Sequence, residues 1–307
     1  MKDEVKGMSS FPEILPDDAT SSPQSVTCPP GFGLVLAGGS ARGGYQIGVW
    51  KALRERGIRI DAVVGTSIGA INGVLVAMDD FDLAMQVWQT IDLTHIIQCR
   101  DPLPRPDNLF DWRNLRVIAR TFLLDHAFST DPLRQMLADH IDESRLRQGC
   151  IPYGLMTFSI TERKPLALFL DQIPEGRLVD YILASCCLPL FKSVRIDGQR
   201  LVDGSVYNNL PTEMLLSRGY RRIIEVEIGG KGRVRSFDAA GIELIHIEPE
   251  SPLSGPFDLR PETRVERISR GYRDALTALD SHFAAASAET GGSGRMDTIS
   301  GVGPDRS

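Results

Sequence analysis

Short apolar runs alternate with amphipathic stretches along most of the chain, and that alternation predicts its elements. Residues 32–37 (FGLVLA) form an apolar run with the length of a buried strand. A glycine-rich turn follows, and residues 45–56 carry helical spacing. Residues 61–64 read as a second strand and residues 67–78 as a second helix. Further strands are expected at 153–160, 166–170, 222–228 and 242–247. Asp131-Pro132 has the form of an N-cap followed by proline at the first helical position, opening a helix through residue 138. Residues 260–286, opened by Pro261, have the length and spacing of a final helix. Strands that alternate with helices imply a parallel sheet covered on both faces.

The ends read differently. Residues 1–30 are rich in Ser, Pro and acidic side chains, which predicts a disordered tail. They contain no apolar core of the kind a signal peptide carries. Residues 288–307 are Gly- and Ser-rich and are expected to be a flexible tail. One domain is therefore expected at 31–287. Inside it, residues 62–78 contain no charge and place Gly65, Gly69 and Gly73 at the spacing of a packed membrane helix. The run is shorter than the roughly 20 residues a membrane span needs, and Asn72 interrupts it, so it reads as strand, turn and helix.

Composition narrows the function classes. The chain has 307 residues, 42% hydrophobic and 24% charged, which is ordinary for a globular protein. A formal net charge of −6 disfavours nucleic-acid binding and strong electrostatic adhesion to anionic membrane. The five cysteines (Cys28, Cys99, Cys150, Cys186 and Cys187) are odd in number and form no CxxC pair. That is neither a disulfide scaffold nor a zinc site, and a reducing, cytoplasmic setting is expected.

Three segments carry candidate chemistry. Gly65-Thr66-Ser67-Ile68-Gly69 matches GxSxG with a strand before it and a helix after it. A nucleophilic serine needs such a strained turn to project its hydroxyl, flanking glycines to relieve clashes, and a helix N-terminus aimed at the reacting centre. The second segment is Gly38-Gly39-Ser40-Ala41-Arg42-Gly43-Gly44, after the first strand. It lacks the Lys-Ser/Thr of a phosphate-binding loop and the GxGxxG of a dinucleotide fold. Glycine N–H groups aimed at a developing oxyanion fit it better. Arg42 either adds charge there or locks the loop. The third is Leu201-Val202-Asp203-Gly204-Ser205, where an aspartate ends a short apolar run. The five histidines (His95, His126, His140, His246 and His282) lie outside any glycine-rich loop after a strand, and His246 sits in a strand-like run. Asp203 is the other candidate base. It would work best desolvated and touching the serine hydroxyl.

Together these segments resemble the patatin-like phospholipase family. GGSARGGYQIGV is similar to its oxyanion loop, GTSIG to its nucleophile elbow, and DGSVYNNLP to the block that supplies its aspartate. FSTDPLRQML, ASCCLPLFKSVRIDGQRLVDG and FDLRPETRVERISRGYRDA agree, so the resemblance spans about residues 31–286. It implies a three-layer α/β/α sandwich with a mostly parallel central sheet, and acyl-ester hydrolysis of phospholipids, lysophospholipids or neutral lipids. Carried over by position, Ser67 is the nucleophile, Asp203 its base, and Gly38, Gly39, Ser40, Arg42 and Gly43 the oxyanion loop. Gly65 and Gly69 flank the elbow, and Gly204 and Ser205 complete the aspartate block. Ser40 replaces the usual third glycine, and Ser205 stands where Gly or Ala is commoner. No metal or cofactor is implied. The partner is a lipid acyl ester, with room for transient, peripheral membrane contact.

Two rivals remain. One is an α/β-hydrolase esterase with the triad Ser67, Asp203 and His246, whose chain order fits, although Ser67 follows the second strand, too early for that fold. The other is a non-catalytic lipid-binding or regulatory domain. Residues 117–124 and 181–191 are apolar enough for acyl-binding surfaces, but core packing is the plainer reading.

Overall fold

The computed structural model describes residues 31–109 and 111–292. The expected tails at 1–30 and 293–307 lie outside the described residues. In chain order the elements are β1 (Phe32–Leu36), α1 (Gly44–Glu55), β2 (Ile60–Thr66), α2 (Ile68–Ala77), α3 (Phe81–Thr90), α4 (Leu115–Asp125), α5 (Asp131–His140) and α6 (Glu143–Gln148). They continue with β3 (Tyr153–Ser159), β4 (Lys164–Phe169), α7 (Leu178–Ser185), β5 (Val194–Ile196), β6 (Gln199–Asp203), α8 (Thr212–Ser217), β7 (Arg222–Val226), β8 (Glu243–Ile247) and α9 (Pro261–Gly292).

The strands form one mixed sheet. β8, β7, β1, β2 and β3 are parallel neighbours in that order. β4 pairs antiparallel along one edge of β3, from Gly154 to Ser159. The other edge of β3 is shared. β2 occupies Tyr153 to Met156, ending at Thr66 opposite Met156. β6 then takes over antiparallel, with Asp203 opposite Thr157. The C-terminal ends of β2 and β6 therefore meet head to head against two consecutive residues of β3.

Helices cover both faces, as continuous apolar strands require. β1 is buried throughout. Successive strand residues point to opposite faces. The Tyr153 ring lies 3.3 Å from where a Cβ on Gly73 of α2 would stand, whereas Gly154 faces Met214 of α8. The result is a three-layer α/β/α sandwich. α9 packs on α1 at backbone contact, where Gly48 meets Ile268 and Gly271 meets Tyr45.

The expected elements are present with small shifts. The uncharged run becomes β2 and α2, and among the described residues no helix is long and apolar enough to cross a membrane. Asp131 is not the N-cap of α5: Thr130 holds that place and Asp131 is the first helical residue. The Asp131 carboxylate accepts from the Ser129 hydroxyl at 2.6 Å instead. α9 runs on to Gly292, so the first residues of the expected C-terminal tail are helical. The patterns gave no expectation for α3, α4, α6, α7, α8 or β5.

Candidate active site

Ser67 stands between β2 and α2 with φ 57° and ψ −125°, a conformation that costs a non-glycine residue energy. Tight packing holds it there. A Cβ on Gly65 would lie 2.3 Å from the Gly69 carbonyl carbon, and one on Gly69 would lie 2.1 Å from the Leu36 oxygen. The Ser67 N–H donates to Ser185 Oγ at 2.9 Å, and that hydroxyl donates to the Met156 carbonyl at 2.7 Å. Ser185, at the end of α7, thus ties the elbow to β3. The patterns of the chain gave it no role.

Asp203 ends β6 and is 2% exposed, beside Ser67 at 7%. Its Oδ1 accepts the Ser205 N–H at 2.8 Å. Its Oδ2 is buried and lacks a hydrogen-bond partner among the described residues. Burial pushes the Asp203 carboxyl above its ordinary value, and the Ser205 N–H and the nearby Ser67 hydroxyl offset part of that. The Ser67 hydroxyl is close enough to favour the charged form without completing a hydrogen bond to Oδ2. Cys186, buried on the same side, has its thiol pushed well up by burial first and by Asp203 second. It is one of four free cysteines among the described residues.

The glycine loop divides its labour. The Gly38 N–H is taken by Asn209, donating to its Oδ1 at 3.1 Å and its carbonyl at 3.3 Å, while Asn209 Nδ2 donates back to the Gly38 carbonyl at 3.2 Å. The Gly39 and Ser40 N–H groups have no acceptor among the described residues. Ser40 adopts φ 56°, the left-handed region where glycine would be easiest. The Gly43 carbonyl accepts from Asn72 Nδ2 at 3.0 Å, and Asn72 also bonds Gln46 and the Trp88 indole. Asn72, read from sequence as an interruption in an apolar run, is a buried strut under the loop.

Arg42 is tied to backbone carbonyls beside the loop. Its guanidinium donates to the Ser254 carbonyl at 3.1 Å and to the Gly229 carbonyl. The Ala41 N–H donates to the Pro256 carbonyl at 2.8 Å. Fully buried Arg267 of α9 donates to the Ala41 and Asp258 carbonyls, both at 2.7 Å, and to the Gly255 carbonyl at 2.8 Å. These bonds suit the second of the two roles that its sequence left open, a lock on the loop.

Two hollows meet at Ser67. One is lined by apolar side chains including Ile71, Val87, Ile91, Leu133, Met136 and Phe191. The other runs past Gly39, Arg42, Ser205 and Lys231. Of the two apolar segments expected as core, 181–191 is divided: Ile182 and Leu183 pack in the core while Cys186, Leu188 and Phe191 line the first hollow.

His246 is not part of this constellation. It lies on β8, three strands from β2 in the sheet, which at ~4.8 Å per strand is on the order of 14 Å. Its Nδ1 meets Glu225 at 3.1 Å, and that hydrogen bond raises its pKa despite the opposing effect of burial. This placement argues against the Ser67, Asp203, His246 triad.

Fold and site together define an α/β/α protein with a serine elbow, a buried aspartate and a glycine loop around one apolar hollow. The chain belongs to the patatin-like phospholipase family, whose model matches residues 34–216. It is 27% identical over 205 residues to patatin-like phospholipase domain-containing protein 7 of Rattus norvegicus, covering 64% of this chain and 14% of that protein. It is 31% identical over 206 residues to lysophospholipase NTE1 of Mycosarcoma maydis, covering 66% of this chain and 10% of that protein. The chain thus spans a small fraction of these relatives. Among solved structures, VipD from Legionella pneumophila superposes with a TM-score of 0.54 at 16% identity, over 82% of this chain and 67% of that one, a likeness of fold.

Proposed function

We propose that this protein hydrolyses acyl esters of lipids, in the manner of a phospholipase A or lysophospholipase, with Ser67 as nucleophile and Asp203 as base. The observation that carries the reading is the buried Asp203 Oδ2 left without a donor beside the Ser67 hydroxyl. Buried carboxylate oxygens are nearly always satisfied, so an orphan next to a strained serine is poised to accept its proton. A raised carboxyl pKa suits that task better than an ordinary one.

In this reading the acyl chain lies in the apolar hollow and the alcohol portion in the second one. Ser67 Oγ attacks the ester carbonyl as Asp203 takes its proton. The free Gly39 and Ser40 N–H groups receive the oxyanion, with Gly38 and Gly43 bracing the loop. Asp203 returns the proton to the departing alcohol. Water, deprotonated by the same carboxylate, then releases the fatty acid. Family membership and the lysophospholipase and phospholipase names of the relatives support the substrate class.

A fluorophosphonate probe should label the wild type and not Ser67→Ala. Across a lipid panel with products identified by mass spectrometry, Ser67→Ala should lose at least about 10³ of the turnover. A folded wild type that takes no label would sink the reading. His246→Ala should keep near-normal turnover, and a loss of several orders of magnitude with the fold intact would restore the triad.

A further inference from the structure

We infer that α4 and the turn before it are a bilayer-docking surface, which holds the mouth of the apolar hollow against a lipid membrane. This rests on the proposed lipid hydrolysis and names the surface on which it occurs. The segment leaves the wall of the hollow and returns to it. On the outgoing side Leu93 N–H donates to the Pro106 carbonyl at 2.8 Å, Leu109 N–H to Phe257 at 3.2 Å, and Leu259 N–H to Asp107 at 2.5 Å. On the return, Phe128 N–H donates to the Leu190 carbonyl at 3.0 Å and Lys192 N–H to Phe128 at 2.9 Å. Leu93, Phe191, Phe257 and Leu259 all line the hollow. The strap is thus pinned at both ends to the pocket wall.

Its inner face packs normally. Asn114 is buried and bonds the backbone of Arg105 and Asn108, and Val117 and Thr121 are buried too. Its outer face is apolar where solvent would favour polar residues. Trp112 is 77% exposed, Leu115 66%, Leu123 76% and Leu124 49%. Those are four of the nine large apolar side chains exposed among the described residues, gathered in one short stretch. Leu115, Ala119 and Leu123 follow at intervals of four on α4, and Trp112 precedes Leu115 by one turn, which makes a single stripe.

Charge selects a membrane over a protein surface. Residues 112–124 carry Arg113, Arg116 and Arg120 and no acidic residue, in a chain whose net charge is −6. Arg113 stacks over the Trp112 ring at 5.3 Å and reaches Asp111, and Arg120 pairs with Asp101. Arg116 is exposed and makes no ion pair among the described residues. A tryptophan and leucines flanked by arginines is the pattern of a helix lying in the headgroup plane of a bilayer. Insertion of the apolar stripe supplies most of the binding, and the arginines hold lipid phosphates at its margin.

The three tryptophans make the test direct, because Trp50 and Trp88 are buried and Trp112 is not. Ser67→Ala protein is mixed with phosphatidylcholine–phosphatidylglycerol vesicles, so that binding is read without hydrolysis. Its emission should shift to the blue and be quenched by lipids brominated on their acyl chains. Trp112→Phe should remove the response while the protein still sediments with vesicles. Leu115→Ser/Leu123→Ser should cut sedimentation at least about tenfold. With Ser67 intact, that double variant should lose at least tenfold on vesicle lipid while staying within twofold on a soluble short-chain ester. Three results would overturn the inference: no sedimentation, sedimentation without a Trp112 response, or a double variant that binds like the parent. Self-association through the patch, seen as a dimer that the double variant dissolves, would assign it to a second copy instead. Failure of the wild type on the soluble ester would count against the hydrolase reading and leave the binding result standing.

Discussion

Asp203 is kept at the end of β6 with one oxygen on the Ser205 N–H and the other facing the elbow without a donor. Burial raises its pKa, so the folded state binds the proton more tightly than the unfolded chain does. The stability that goes with the protonated form is present at low pH and is lost as pH rises through the raised value. At neutral pH the ionised carboxylate is a cost to the fold. Asp203→Asn should therefore raise the melting temperature at pH 7, on the order of a few °C, while abolishing turnover. Calorimetry over a pH series should show the gain fading toward the ordinary carboxylate value of ~3.9. A variant no more stable than the parent at pH 7 would contradict this account. Ser67 and Asp203 were legible in the sequence because their backbone settings demand visible neighbours, glycines at the elbow and after the aspartate. Ser185 and Asn209 were not, since a hydroxyl on one helix and an amide after a turn announce nothing about which distant N–H they will meet.

At the scale of elements, the same rule separates what the chain disclosed from what it withheld. β1, β2, α1, α2 and α9 stand where hydrophobic patterning put them, β1 and α2 as runs buried at every position but Ile68 and α9 by one apolar face. In α4 the segment 117–124 reads as core in the sequence, and only its inner face is: Val117 and Thr121 are buried, while Leu123 and Leu124 lie exposed, because its outward stripe is apolar and lacks the solvent-side polarity that marks a surface helix. The role of α9 was also hidden. Its length was readable, but nothing in its spacing says that Arg267 reaches the glycine loop to hold three carbonyls of two segments. Desolvation lowers the Arg267 pKa to about 10, a measure of how far it is withdrawn from water. Arg267→Met would leave those carbonyls unpaired and should reduce unfolding free energy by about 3 kcal/mol, measured by urea denaturation. A change within ~0.5 kcal/mol would show that the loop is held by Arg42 and the Ala41 N–H alone.

At the scale of the whole molecule, alternation of strands and helices announced a covered parallel sheet, and the sheet found is covered and parallel from β8 to β3 but antiparallel at β4, β5 and β6. It could not announce that two strands far apart in sequence share one edge of β3, because register is a property of pairs and leaves no mark on either strand alone. That shared edge has a consequence for the timing of synthesis. Ser67 is made early, and its elbow is complete once β1, β2, α2, β3 and α7 with Ser185 have formed. Asp203 comes much later, and only the pairing of β6 with β3 brings it to the serine. A growing chain thus carries a finished elbow with no base beside it, and in the proposed reading it stays chemically silent until β6 has been made and docked. Probe labelling of arrested nascent chains should switch on only after β6 clears the ribosome, so that, if the proposed reading holds, no ester is attacked before the rest of the fold is there to direct it.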